Sequence, residues 1–210
     1  MKNTILRGFI ALTTIAASTS AALAHHPMGG KTPSTFMEGL LSGVGHPVIG
    51  MDHLAFVVAM GVAAVMAGKR YLLPLFFIIA TLAGTGLHLA AIDLPVVELV
   101  VALSVAAIGI LILSGREIAT PVYASLFTAA GLFHGHAYGE AIFGAETTPL
   151  VAYLAGFGIT QYVIAIVAGG LASSTKSAFE NTNARIAGGV VAGVGALLVS
   201  EHVLRAVFGA

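Results

Sequence analysis

The sequence predicts an all-α, polytopic membrane protein in which six transmembrane helices follow a cleaved signal peptide. Three observations carry that expectation. Of 210 residues, 58% are hydrophobic and only 9% charged, where a soluble domain carries about a quarter charged residues, and the mean hydropathy is +0.99. From Pro47 onward, apolar stretches of membrane-spanning length alternate with short polar joints. The first 24 residues have the layout of an export signal.

Charge and cysteine usage narrow the function. Nine Lys and Arg balance nine Asp and Glu, so no net field attracts nucleic acid, and binding to it is excluded. With no cysteine there is no disulfide framework, Fe–S cluster or thiolate zinc site, so metal chemistry would have to rest on imidazole and carboxylate. The eight histidines therefore stand out.

In the signal, Lys2 and Arg7 precede an apolar run over residues 8–17 that is too short to span, and Ala22-Leu23-Ala24 offers the small residues of a cleavage site. Cleavage after Ala24 leaves a chain starting His25-His26-Pro27 on the outer side of a bacterial inner membrane. A free amine beside His25 and His26 could hold metal loosely near the entrance. Residues 25–46 form a periplasmic N-terminal segment, and their amphipathic, Gly-rich stretch 36–45 suits either the membrane surface or a fold back into the bilayer.

Residues 47–210 form the six-helix transmembrane domain, with helices expected at about 47–68, 71–90, 95–113, 121–139, 149–171 and 185–207. Pro47, Pro74, Pro95, Pro121 and Pro149 each fall in an expected opening turn, where the missing N–H costs nothing. With an outer N-terminus, the loops after the first, third and fifth helices lie inside and hold Lys69, Arg70, Arg116, Lys176 and Arg185, as the positive-inside rule requires. The outer loops around Asp93 and Glu146 hold no Lys or Arg, and the C-terminus returns to the periplasm. Gly131/Gly135/Gly139 and Gly189/Gly193 provide small faces for close helix packing.

Ionisable side chains inside spans are costly and mark candidate sites. His46, Asp52 and His53 open the first helix, Glu98 begins the third, and His134, His136 and Glu140 end the fourth. The first helix runs inward and the fourth outward, so these groups converge on one membrane face. On a regular helix His46 and His53 share a face about 10 Å apart, too far for one ion; Pro47 and Gly50 make an irregular turn there reasonable. Asp52 can share an ion with His53 or orient its imidazole. His136 and Glu140, four apart, share a face, which turns His134 away unless Gly135 unwinds the helix. Glu98 serves the helix dipole as readily as a metal. For His88 and His202 a helix-to-helix hydrogen bond is the expected role. This donor set suits divalent Ni, Co, Zn or Cu(II).

The run Gly45-His46-Pro47-Val48-Ile49-Gly50-Met51-Asp52-His53-Leu54 resembles the signature of the HupE/UreJ nickel and cobalt permeases. The run Gly131-Leu132-Phe133-His134-Gly135-His136-Ala137-Tyr138-Gly139-Glu140 resembles that family's second His-rich motif, and residues 95–109, with Glu98 and Ser104, resemble its third helix. The second motif departs from the family at Tyr138, where histidine is common, and in its glutamate, which the family often has one residue later than Glu140. The resemblance implies a permease that passes Ni(II) or Co(II) as cargo, with no tightly bound cofactor, from periplasm to cytoplasm for hydrogenase or urease maturation, a metallochaperone being the downstream acceptor. It implies that His46, Asp52 and His53 are essential, with Glu98 and the His134, His136 and Glu140 group contributing. No Walker A loop is present, so transport would be facilitated, driven by a gradient or powered by a partner chain; of these the resemblance implies a secondary permease. The alternatives are a membrane-embedded His/Asp metallohydrolase, with Glu140 or Asp52 as base, and a metal receptor that does not transport.

Overall fold

The structure, a computed structural model, describes residues 31–173 and 182–209. The export signal, His25, His26 and Lys176 lie outside the described residues. Seven α-helices follow in order: α1 (Phe36–Ile49), α2 (Met51–Met66), α3 (Leu73–Leu89), α4 (Val97–Ser114), α5 (Thr120–Gly139), α6 (Thr147–Ser173) and α7 (Thr182–Phe208), with a 3-10 turn Glu140–Ile142 after α5. No strand occurs among the described residues.

By length and hydropathy α4, α6 and α7 can each cross a membrane, and α1 with α2 forms a pair bent by 77° that qualifies as one broken span or a re-entrant loop. The shorter α3 is apolar. Two histidines and several small residues dilute α5. Large apolar side chains such as Ile79, Ile110, Ile159 and Val167 face outward, a surface suited to lipid. The chain is a membrane protein of three to four candidate spans on these criteria.

Helix starts follow the proline pattern in part. Pro74 and Pro121 sit at the first turns of α3 and α5, and Pro149 in that of α6. Pro95 precedes α4, and Pro47 lies inside α1 rather than opening a span. The stretch expected at the surface or folded back is α1, started by a Thr35/Glu38 capping box. It packs along α6, where a Cβ at Gly43 would lie 2.2 Å from the Tyr153 carbonyl oxygen.

At the centre, α2 touches all six other helices, and Phe56, Val57, Met60, Ala63 and Ala64 on it are fully buried. Around it, the closest pairs are α3 with α5, α4 with α7, and α1 with α6. The α3–α5 seam uses the expected Gly131, Gly135 and Gly139: a Cβ on Gly135 would lie 2.1 Å from the Thr81 carbonyl oxygen. The α4–α7 seam departs from expectation. Gly189 meets only a Leu113 methyl at 3.6 Å and Gly193 nothing within 4 Å, while Gly188 and Gly195 pack on the backbone of Leu113 and Ala106. Their seven-residue spacing is that of a helix seam, so the contacting face is rotated from the expected one.

The basic joints collect at one end of the bundle. Arg185 donates through Nε to the Leu113 carbonyl at the end of α4 (3.0 Å), and Arg70 donates to the Ile166 carbonyl in the second half of α6 (3.1 Å).

Because a methyl group at Gly135 would meet backbone rather than a movable side chain, Gly135→Ala should cost at least the 1–3 kcal/mol of core overpacking. Gly193→Ala should be neutral within about 0.5 kcal/mol. Thermal unfolding of the two detergent-purified variants checks the contrast; equal melting points would refute the seam assignment.

Candidate metal centre

The break between α1 and α2 builds the site. Pro47 has no N–H to donate to the turn before it, and the helix ends two residues later. Gly50 closes α1 by donating its N–H to the His46 carbonyl (3.2 Å) and opens α2 by accepting from the Leu54 N–H (2.8 Å). Its backbone (φ −72°, ψ 109°) is open to any residue. What excludes a side chain is crowding, since a Cβ would fall 2.7 Å from His53 Cδ2 and 3.0 Å from Asp52 Oδ1. The bend brings the His46 and His53 rings to 5.7 Å between centroids, where a straight helix would hold them about 10 Å apart along its axis.

Groups on α4, α5 and α6 then orient the imidazoles. His53, fully buried, meets His134 of α5 with Nδ1 atoms 2.8 Å apart. His134 Nε2 meets the hydroxyl of Ser104 on α4 at 2.9 Å, and Ser104 also reaches the Val101 carbonyl at 2.7 Å. From α6, the Tyr153 hydroxyl lies 2.9 Å from the Tyr138 carbonyl and 2.8 Å from His46 Nδ1. The Tyr138 ring covers His53 at 4.3 Å and His46 at 4.8 Å.

The hydrogen-bond network assigns the tautomers. A carbonyl only accepts, so Ser104 donates to Val101 and accepts from His134 Nε2–H. The lone pair of His134 is then on Nδ1, and His53 donates to it through Nδ1–H. In the same way Tyr153 donates to the Tyr138 carbonyl and accepts from His46 Nδ1–H. His46 and His53 both carry their lone pairs on Nε2, the arrangement of metal-binding histidines whose other nitrogen is tied to a partner. Asp52 Oδ1 accepts from the His53 backbone N–H (2.8 Å) and stands 4.0 Å from His53 Nε2. A carboxylate and a lone pair at that separation suit a cation held between them.

Of the residues expected from sequence, His46, Asp52, His53 and His134 are brought together. His136 is buried but faces the other way, its ring 4.7 Å from that of His88. The choice between the two histidines is set by Gly135, whose backbone packs on Thr81 and whose carbonyl accepts from the Thr85 hydroxyl (2.8 Å); with that contact fixed, His134 points at α2. Glu140 is exposed in the 3-10 turn that follows α5. Glu98 faces His202 of α7 at 3.7 Å with its side chain 62% exposed, which also accounts for His202 as a helix-to-helix contact. Among the described residues no three His, Asp or Glu side chains are grouped as a ready metal cage. Tyr153 was not singled out by the sequence, and its only signal there is a phenol inside an apolar span. Tyr138 drew notice only as a departure from a motif.

Comparison with known proteins finds similarity along most of the chain. The family described as HupE / UreJ protein matches residues 12–198. Protein HupE of Rhizobium leguminosarum bv. viciae is 35% identical over 189 residues, covering 89% of this chain and 95% of that protein. No solved structure matches.

Nitrogen NMR of isotope-labelled histidine in the metal-free protein should show Nδ1–H tautomers for His46 and His53 and the Nε2–H tautomer for His134. An Nε2–H signal on His53 would contradict the network.

Proposed function

The chain belongs to the HupE/UreJ family, and from that premise we propose that it is a secondary permease for a divalent transition metal. Ni(II) is the foremost cargo and Co(II) the next, moving from periplasm to cytoplasm for hydrogenase or urease maturation, with a metallochaperone receiving it. The observation that carries this reading is the broken α1–α2 pair, which turns His46 and His53 toward each other beside Asp52. Discontinuous helices with ligands at the break are how secondary transporters build substrate sites within a bilayer. The carbonyl end of α1 adds negative potential beside a cation.

Family membership favours cargo over a resident catalytic metal. Two imidazole nitrogens with one nearby carboxylate, borderline in hardness, suit Ni(II) or Co(II), and a conducting site must bind weakly enough to release. His134, Ser104 and Tyr153 act as positioning residues, and Glu98, Glu140 and His136 stand outside this first group. The reading includes a cleaved export signal ending at Ala24, six spans, and periplasmic N- and C-termini in the inner membrane. The gathering of Arg70 and Arg185 at one end of the bundle supports that orientation.

At nickel concentrations near the transport half-saturation, His53→Ala and Asp52→Asn should abolish uptake of radiolabelled nickel while leaving membrane expression unchanged. Tyr153→Phe, which removes only the hydroxyl holding His46, should weaken apparent affinity by about 10- to 100-fold. Wild-type uptake by a normally expressed Asp52→Asn variant would sink the site assignment.

For orientation, alkaline phosphatase fused after Ala210 should be active and fused after Arg116 inactive. The reverse pattern would overturn the topology.

A further inference from the structure

His88 and His136 remain unused by the site above, and their surroundings have the marks of a second one. They come from the ends of α3 and α5, with ring centroids 4.7 Å apart at 81°. His136, only 6% exposed, meets the Ile92 carbonyl through Nε2 at 3.1 Å. A carbonyl only accepts, so His136 is the Nε2–H tautomer and its lone pair is on Nδ1. The carbonyl is aimed by a Schellman-type turn closing α3, in which Ile92 N–H bonds back to the Leu87 carbonyl (3.0 Å). That turn puts Ala91 at φ 55°, a left-handed conformation that costs a residue with a Cβ roughly 1–2 kcal/mol. His88 Nδ1 is buried with no hydrogen-bond partner among the described residues. Gly139 leaves the room for this side chain, since a Cβ there would lie 2.5 Å from His88 Cβ. The charges of Glu140 and Asp93, both exposed, reach His88.

We propose that His88 and His136 form a second divalent-metal site, completed by the Glu140 or Asp93 carboxylate and separate from the His46/His53 centre. One imidazole is fixed in its ligating tautomer by a backbone carbonyl, the other presents an unpartnered nitrogen, and carboxylates stand at the open side. That set of donors takes Ni(II), Co(II) or Zn(II). His134 and His136 flank Gly135, so one helix serves the two sites from opposite faces. With its carboxylate ligand exposed, the second site binds more weakly than the first and gathers metal at the surface where His88 emerges. Its role in capture rests on the permease reading; its existence as a binding site does not.

Co(II) binding to the detergent-purified full chain, by equilibrium dialysis and visible absorption, tests this. The parent should bind two equivalents, His88→Phe one, and His53→Ala one of lower affinity. Phenylalanine preserves the ring contacts of His88 with His136 and Phe143. Glu140→Gln, on an exposed position, should keep two equivalents but weaken the lower-affinity one about tenfold. Unchanged stoichiometry and affinity in His88→Phe would overturn the second site and indicate that the His88 nitrogen merely faces the His136 ring. Two equivalents persisting in His53→Ala would instead count against the first site and leave this one standing.

Discussion

The His46/His53 centre depends on a single interruption of helical hydrogen bonding at Gly50. Two successive helices of a membrane bundle are ordinarily joined by a polar loop outside the bilayer. Here the joint is one buried residue flanked by the exposed Ile49 and Met51, and the chain turns there by 77°. The interruption places a proline-weakened helix end and a fresh helix start side by side, so opposite backbone dipole ends meet at one point. It also decides which side chains face each other. With α1 and α2 as one straight rod, His46 would have no route to His53, and Tyr153 would have no imidazole to hold.

Central placement of α2 gives the interruption its reach. Because α2 contacts every other helix, the histidine in its first turn can be approached from α1, α5 and, through His134, α4. Each approach is fixed by a hydrogen bond whose direction is forced by a backbone carbonyl that can only accept, at Val101 or at Tyr138. The tautomers of three buried imidazoles thus trace back to main-chain carbonyls, relayed through Ser104, His134 and Tyr153. In a low-dielectric interior, such directed networks are worth more than exposed ones.

How much of this was legible in the sequence varies with the kind of information required. Helix segmentation was readable because prolines and charged joints interrupt apolar runs, and both act locally. The pairing of His46 with His53 was readable only as a condition, since Pro47 and Gly50 permit a break without setting its angle. His134 and His136 could not be ranked from the motif, as two residues on opposite faces of a helix are distinguished only by where that helix is seated. The same rotational ambiguity displaced the α7 packing face from Gly189 and Gly193 to Gly188 and Gly195. Glu98 and Glu140, costly by composition, turned out to be exposed, because a carboxylate near a helix end can reach the boundary of the bundle and avoid the cost. Tyr153 carries one polar atom on a large apolar body, and hydropathy alone cannot tell whether that atom is used.

The seams between helices differ in how they can yield. Along α3 and α5 the contact is main chain against main chain, with Gly131 and Gly135 seated on the carbonyls of Phe77 and Thr81, and such a joint has no soft parts. Between α2 and α3 the contact is sparser and made by rings: Phe56 stacks on Phe77 at 4.9 Å, and both press on His134. Rings can swing by rotamer changes where backbones cannot. The bundle thus pairs a stiff glycine seam with a ring contact between α2 and α3, and that ring contact lies directly against the imidazole that steadies His53.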